Sequence, residues 1–340
     1  MTKEITIYDI AKELNLSPAT ISRALKDNKN VNKTTKKRIR DKAEELGYRH
    51  NSFASNLRKQ KTHTIGVLMH ELNSNFMTSV LSGIEKITTL SGYDIIIAHS
   101  GEKMVKETAN ARNLFHKRVD GLIASLAFDT VELGHFNPFI ERGIPIVFFD
   151  RVENINNTTK VVIDNYRAGY KATQHLIDQG CKKIAMITAS LKRNVYADRN
   201  KGYHDALFDN NIHFENDWLI VNNLSEQAAI DSSHRIMKMK PMPDGVFCTG
   251  DFSAAVCMRT LKEYGIKIPD DIAFVGFNND PIGKIVEPNL TTINYPGSEM
   301  GEMAARNLID KLSGAIDTLS TDSIVINSEL IIRQSSLRKK

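Results

Sequence analysis

Apolar positions along this chain follow two different periods, and the change falls near residue 62. Before it the spacing is helical. Ile7, Ile10, Ala11 and Leu14 recur at i, i+3, i+4 and i+7, which predicts a short helix with one buried face. Thr6 with Asp9 three residues on supplies its N-terminal cap. Asn15-Leu16 breaks the run. Ser17 then caps a second helix with Pro18 at its first position, where the missing N–H costs nothing. Ile21, Ala24 and Leu25 fall on one side of that helix, and Ala19, Ser22, Arg23 and Lys26 on the other. A third helix is predicted from about Lys33 to Leu46, with Ile39, Ala43 and Leu46 inward and Gly47 as its stop. Three short helices, the first two joined by a tight turn, describe a helix-turn-helix unit.

From Thr64 the pattern becomes short apolar runs alternating with helical stretches. "TIGVLM", "YDIIIAHS", "GLIAS", "IPIVFFD", "KVVID", "KIAMITA", "GVFCTG" and "DIAFVGF" read as buried strands. Strands this apolar, alternating with helices, imply an α/β fold of parallel sheets covered on both faces. The number of units suits two doubly wound sheets better than one. Such sheets take ligands at the carboxyl ends of their strands, so two facing sheets make a cleft.

Charge separates the two parts further. Residues 1–61 hold 15 Lys+Arg against 7 Asp+Glu, a net +8, while the remainder holds 30 against 33, a net −3. A basic head on a mildly acidic body points to a head that meets a polyanion and a body with another task. The second helix is a rod with one apolar face and one small, basic face, which suits the major groove of B-DNA. Ala19 is placed to touch a thymine methyl and Arg23 to reach guanine or phosphate. An ordinary three-helix bundle exposing the same residues to water is the alternative from pattern alone.

Other chemistry narrows the function classes. Cys181, Cys248 and Cys257 are scattered and form no CxxC pair, which fits a reducing cytoplasm and argues against a disulfide framework or a zinc site. No apolar run approaches ~20 residues, and Met1-Thr2-Lys3-Glu4 leads straight into a polar helical pattern, so neither a membrane span nor a secretion signal is expected. GxGxxG after a strand, GxxxxGK[ST], GxSxG and HExxH are all lacking, and no cofactor or metal is implied. A chain whose head binds DNA is favoured over an enzyme. A cytoplasmic solute-binding receptor without sequence-specific DNA activity is the second reading.

One stretch resists both patterns. "NSFASNLRKQKTH", residues 51–63, is polar and basic yet carries Phe53 and Leu57 with little nearby to bury them. Motif order explains it. T-[IL]-x-D-[IV]-A, S-x-x-T-[IV]-S-R, V-x-x-x-T-x-x-[RK], L-x-Y and N-x-x-A-x-x-L follow one another across residues 6–57. In this the chain resembles LacI/GalR-family bacterial transcription regulators. The likeness continues through "KRVDGLIAS", "GIPIVFFDR", "VVIDNYRAG", "RNKGY", "IPDDIAFVGFNND", "PNLTTI" and "LIIRQSS".

The resemblance implies a three-part chain: a helix-turn-helix domain over 1–48, a hinge helix or linker over 49–61, and an effector-binding and dimerisation domain over 62–340. That last domain has the periplasmic-binding-protein fold. Its N-subdomain is expected at about 62–162 and 292–322 and its C-subdomain at about 163–291 and 323–337, with crossovers near 160–164, 290–293 and 320–324. The family reads a near-palindromic operator as a homodimer. The residues matched to DNA contact are Thr6, Tyr8, Ser17, Pro18, Ala19, Thr20, Ser22, Arg23, Asn30, Asn51, Ala54 and Leu57. Leu57 corresponds to the leucine that wedges into the central C-G step, at a cost of a few kcal/mol in unstacking. Phe53 departs from the family's smaller aliphatic residue.

A small-molecule effector is implied too, a sugar, a sugar derivative or a phosphorylated metabolite. The matched cleft residues are Asn75, Phe76, Asp150, Arg193, Arg199, Asp251 and Asn278. Phe76 would stack on a ring, Asp150 would accept from hydroxyls, and Arg199 in R-x-x-G-[YF] would grip the effector with forked donors. Asp251 reads more readily as a helix cap than as a cleft residue. Asn278 stands where much of the family has Asp, which trades a negative acceptor for an amide and makes an anionic effector more plausible. The dimer interface is expected along both subdomains, on helices such as the one starting near Phe76. No leucine-heptad tail follows the last strand, so a dimer is favoured over a tetramer.

Overall fold

The computed structural model describes residues 5–48, 61–318 and 320–338. The chain forms two compact units, Met1–Thr62 and His63–Lys340.

The first unit is built from α1 (Ile7–Leu14), α2 (Pro18–Leu25) and α3 (Lys33–Glu45). Its core is the predicted apolar set: Ile10, Ala11 and Leu14 meet Ile21, Ala24, Ile39 and Ala43. Local chemistry sets the helix starts. The Asp9 carboxylate accepts from the Thr6 N–H at 2.8 Å and its hydroxyl at 2.6 Å, and Ser17 Oγ accepts from the Thr20 N–H at 3.1 Å. Asn15 turns the chain between α1 and α2 at φ 51°, a conformation asparagine tolerates. Asn32, unnoticed in the sequence, caps α3 by accepting from the Thr35 N–H at 2.7 Å. Asp27 ties the approach to α3 onto that helix through Lys36 and Arg40, each at 3.0 Å.

The second unit contains two six-stranded sheets. The first takes β1 (Thr64–Met69), β2 (Asp94–His99), β3 (Gly121–Ala124), β4 (Ile146–Phe149), β5 (Thr158–Ile163) and β11 (Asp322–Ile326), in the order β11-β5-β4-β3-β1-β2. The second takes β6 (Ile184–Thr188), β7 (Leu219–Val221), β8 (Gly245–Cys248), β9 (Ala273–Asn278), β10 (Thr291–Asn294) and β12 (Leu330–Ile331), in the order β12-β10-β9-β8-β6-β7. All pairings are parallel except β10 with β12. Both sheets are doubly wound, as the apolar runs predicted. β2 is the exception to the expected burial. It is an edge strand with Ile97 43% exposed, because an edge lacks a neighbour on one side.

The chain passes from one sheet to the other three times. The first passage follows β5, as expected. The second lies after Asn294 and the third after Ile326, a few residues beyond the expected 290–293 and 320–324. The reason is that "TTIN" pairs wholly with β9 and "DSIVI" wholly with β5, so each strand is completed before the chain leaves its sheet.

Helices α4 (Asn75–Leu90), α5 (Met104–His116), α6 (Asn137–Glu141), α7 (Asn165–Asp178), α8 (Asn194–Asp209), α9 (Glu226–Lys238), α10 (Asp251–Glu263), α11 (Ile282–Ile285) and α12 (Gly297–Ser313) complete the unit. α7 and α8 approach so closely that a methyl group at Gly169 would overlap the Arg199 carbonyl, and one at Gly202 the Tyr166 carbonyl. That contact fixes the backbone of Arg199, one of the matched cleft residues.

Candidate DNA-reading surface and ligand cleft

In the first unit every described residue matched to DNA contact is at the surface. Thr6, Tyr8, Ser17, Ala19, Arg23 and Asn30 are exposed, and Pro18, Thr20 and Ser22 half-buried. Tyr8 is 67% exposed, too open for a core role. α2 therefore turns Ile21 and Ala24 inward and presents Ala19, Ser22 and Arg23 outward. Small residues on that face let its backbone come near a partner, and Arg23 gives it a cation. Asn51, Ala54, Leu57 and Phe53 lie outside the described residues.

In the second unit the carboxyl ends of the two sheets meet across a cleft. From the first sheet come His70 and Glu71 after β1, Glu102 after β2, Ser125, Phe128 and Thr130 after β3, and Asp150 and Arg151 after β4. From the second come Arg193 after β6, Thr249 after β8, and Asn278 and Asp280 at the end of β9. Tyr295 sits where the chain leaves β10.

The matched residues fare differently. Asp150 is buried in a left-handed conformation, φ 57°, and accepts from the Tyr295 hydroxyl at 2.6 Å. Burial pushes its carboxyl up, against the pull of Arg151 and Tyr295. Arg199 is buried. Its Nε donates to Asn165 Oδ1 at 2.8 Å, and its guanidinium lies 3.6 Å from the centre of the Phe277 ring. Burial pulls its pKa down. Arg193, also buried, donates from Nη2 to the Thr130 carbonyl at 2.7 Å, across the cleft, while its Nε and Nη1 find no partner among the described residues. Beside it, Asn194 bridges the same gap, donating to the Asp150 carbonyl at 3.1 Å and accepting from the Val152 N–H at 3.0 Å.

Phe76 is stacked on Tyr295 at 4.1 Å and 13°, so that face of its ring is covered by protein. Asn75 is exposed at the start of α4. Asp251 is fully buried and is neither the helix cap nor an open cleft group. Gly250 holds the cap position, and the Asp251 carboxylate accepts from Thr292 Oγ1 at 2.7 Å and the Asp280 N–H at 2.8 Å. Burial pushes its pKa up to about 7. Asn278, at φ 117°, and Asn279, at φ 59°, form a strained pair of left-handed residues. The Asn278 amide faces Asp280 Oδ2 at 3.4 Å. An aspartate there would set a third carboxylate beside Asp280 and Asp251, so the amide relieves repulsion.

Several cleft residues escaped the sequence reading. Arg151 bonds both Glu102 oxygens at 2.8 Å through Nη1, reaches Tyr196 OH at 3.3 Å, and lies 4.0 Å over the Phe128 ring. Tyr295 and Asp150 are 145 residues apart in sequence, and no local pattern links them. The one available signal was position: His70, Glu71 and Arg151 each lie within two residues of a strand's end, where such sheets present side chains to ligands.

Comparison with known proteins adds an independent view. The family model "Bacterial regulatory proteins, lacI family" matches residues 6–51, and "Periplasmic binding protein-like domain" matches 173–336. The HTH-type transcriptional regulator RegA of Clostridium saccharobutylicum is 32% identical over 336 residues, covering 98% of this chain and 99% of the relative. The lac repressor dimer bound to operator and the anti-inducer ONPF superposes with a TM-score of 0.86 at 20% identity, over 98% of this chain and 100% of that one; at that identity the likeness is one of fold. A LacI family transcriptional regulator from Enterococcus faecium with bound ribose gives a TM-score of 0.73 at 25% identity, over 82% and 100% of the two chains.

Proposed function

The chain belongs to the lacI family of bacterial regulatory proteins, and from that premise we propose that it is a dimeric repressor whose grip on a near-palindromic operator is set by a small molecule in the cleft. At the coarser level it is a transcription regulator with a helix-turn-helix DNA-binding domain, not an enzyme. The observation that carries the finer reading is the outward face of α2: small residues, one arginine and no buried group, on a unit whose apolar residues are spent on its own core. That face supports insertion into the major groove, with Ala19 and Ser22 at base edges and Arg23 on guanine or phosphate.

For the cleft, the free Nε and Nη1 of Arg193 and the carboxylates of Glu71, Asp150 and Asp280 support a ligand rich in hydroxyls, such as a sugar. Arg199 already has Asn165, and Arg193 has Thr130, as acceptors, so the two arginines do not by themselves call for a phosphate. Coupling between cleft and operator would be on the order of 1–3 kcal/mol. Dimerisation is supported by an apolar groove of about 640 Å³ between α10 and α11, with Phe252 50% and Ile285 76% exposed. No helix among the described residues is long and apolar enough to cross a membrane. Work on DNA supports a cytoplasmic location.

A salt titration tests the reading. Binding to random duplex DNA should weaken steeply with salt, with a log–log slope of about −0.9 for each phosphate contacted. A flat curve would remove the DNA role and leave a solute receptor.

A further inference from the structure

Phe76, Asp150 and Arg199 were each matched to ligand binding, and all three converge on a side chain that was not, Tyr295. The Tyr295 ring lies on that of Phe76 at 4.1 Å between centres and 13° between planes. Its hydroxyl donates to Asp150 Oδ1 at 2.6 Å. The Arg199 guanidinium is 5.3 Å from its ring centre, and the Phe277 ring stands at 85° to it, 5.7 Å away.

Little freedom remains to this side chain. Tyr295 lies in the second passage between the sheets and reaches from there to the end of β4 and the start of α4. It is 5% exposed. Its N–H faces the Asn278 carbonyl at 3.4 Å, and its own carbonyl accepts from the Gly297 N–H at 2.8 Å. Burial, and then the Asp150 charge, hold the phenol well above its usual pKa, so it stays a donor to Asp150.

The other aromatic rings of the cleft are covered too. Phe76 and Tyr196 are 7% exposed, and Phe277 is fully buried against Arg199. Phe128 is half-buried, with Arg151 4.0 Å over one face. A ligand ring laid on Phe76 would bring its carbons to about 3.5–4.0 Å from that ring. Tyr295 already fills the space. The cleft groups left without a partner among the described residues are polar: Nε and Nη1 of Arg193 and Nε of Arg151.

We propose that Tyr295 determines specificity: it fills the ring-sized space between Phe76, Asp150 and Arg199, bars ligands that must lay a ring on Phe76, and leaves those held by polar groups alone. This rests on the cleft being the effector site and restricts the class of hydroxyl-rich ligand it takes.

Calorimetric titration of the full-length protein tests it with D-glucose, D-galactose, D-xylose and D-ribose, which are hydroxyl-rich rings. Tyr295→Gln removes the ring and keeps a donor for Asp150. It should bind at least one of the four sugars about tenfold or more tightly than wild type does. Tyr295→Phe keeps the ring without the hydroxyl, so it should show no such gain. Tyr295→Ser is a second opened variant, and thermal melting checks the folding of all three. No gain in either opened variant, an equal gain in Tyr295→Phe, or a sugar bound by wild type and lost in Tyr295→Gln overturns the proposal. Failure of both opened variants to fold overturns it as well, because Tyr295 would then serve the fold. A sugar bound equally by wild type and Tyr295→Gln but lost in Arg193→Met sinks this inference and leaves the cleft reading in place. Binding that neither substitution touches sinks both. Salt-sensitive duplex binding by the same wild-type preparation stands apart, since its loss sinks the repressor reading.

Discussion

Arg199→Met should abolish the response of operator affinity to any ligand that a thermal-shift screen finds for the cleft. Arg199 is 2% exposed, bonded to Asn165 and flattened on Phe277, and its backbone is pinned where α8 touches Gly169. It is a preorganised donor, so little entropy is lost when it engages a ligand. Removing a buried charged hydrogen-bonding group of this kind costs a ligand about 2 kcal/mol or more, roughly thirtyfold in affinity. Methionine keeps most of the volume against Phe277, so the main structural penalty is the unmet Asn165 oxygen, about 1–3 kcal/mol. Calorimetry should show ligand affinity reduced by that factor or more, and the ratio of operator affinities with and without ligand should approach one. A full response in the variant would mean that the cleft is used differently.

Ala19→Glu should have the opposite signature. Ala19 is exposed at the second position of α2, clear of Ile21 and Ala24 in the core. A carboxylate in the first turn is favourable to the helix dipole, by about 0.3–1 kcal/mol, so the melting temperature should hold or rise slightly. On DNA the same carboxylate would face phosphates and base-edge acceptors. Loss of a base contact at about 1–3 kcal/mol, with repulsion added, should lower operator affinity about a hundredfold or more. Electrophoretic mobility shift and thermal melting, done together, check both halves. Unchanged operator affinity would take α2 out of the groove.

What the sequence revealed follows from how far apart the interacting residues lie. The helix-turn-helix unit was legible because caps such as Thr6 with Asp9 and Ser17 with Thr20 act over three residues, and its core repeats every turn. The main strands were legible because each is a run of four to six apolar residues that no exposed segment would keep. β7 and β12, at three and two residues, are too short to show a period. The second and third passages between sheets were misplaced by a few residues because pairing partners, not local composition, decide where a strand ends.

The cleft was legible as a location but not as a set of contacts. Arg199 and Asp150 could be matched by motif. Their partners Phe277, Asn165 and Tyr295 are set by the meeting of two sheets. Asp251 shows the limit: a residue at a helix start suggests a cap, yet burial against Thr292 and the Asp280 N–H turned it into a brace for the 278–280 turn. The His70, Glu71 and Glu102 cluster joins two strand ends that only the β1–β2 pairing brings together.

The central claim is that this protein reads a specific sequence with α2 of a paired molecule. Selection of bound duplexes from a random pool by the full-length protein tests it most directly. The account predicts enrichment of one near-palindromic site, bound at least about a thousandfold more tightly than random duplex at the same salt. A selection that yields no common sequence, or a site without two-fold symmetry, would contradict it.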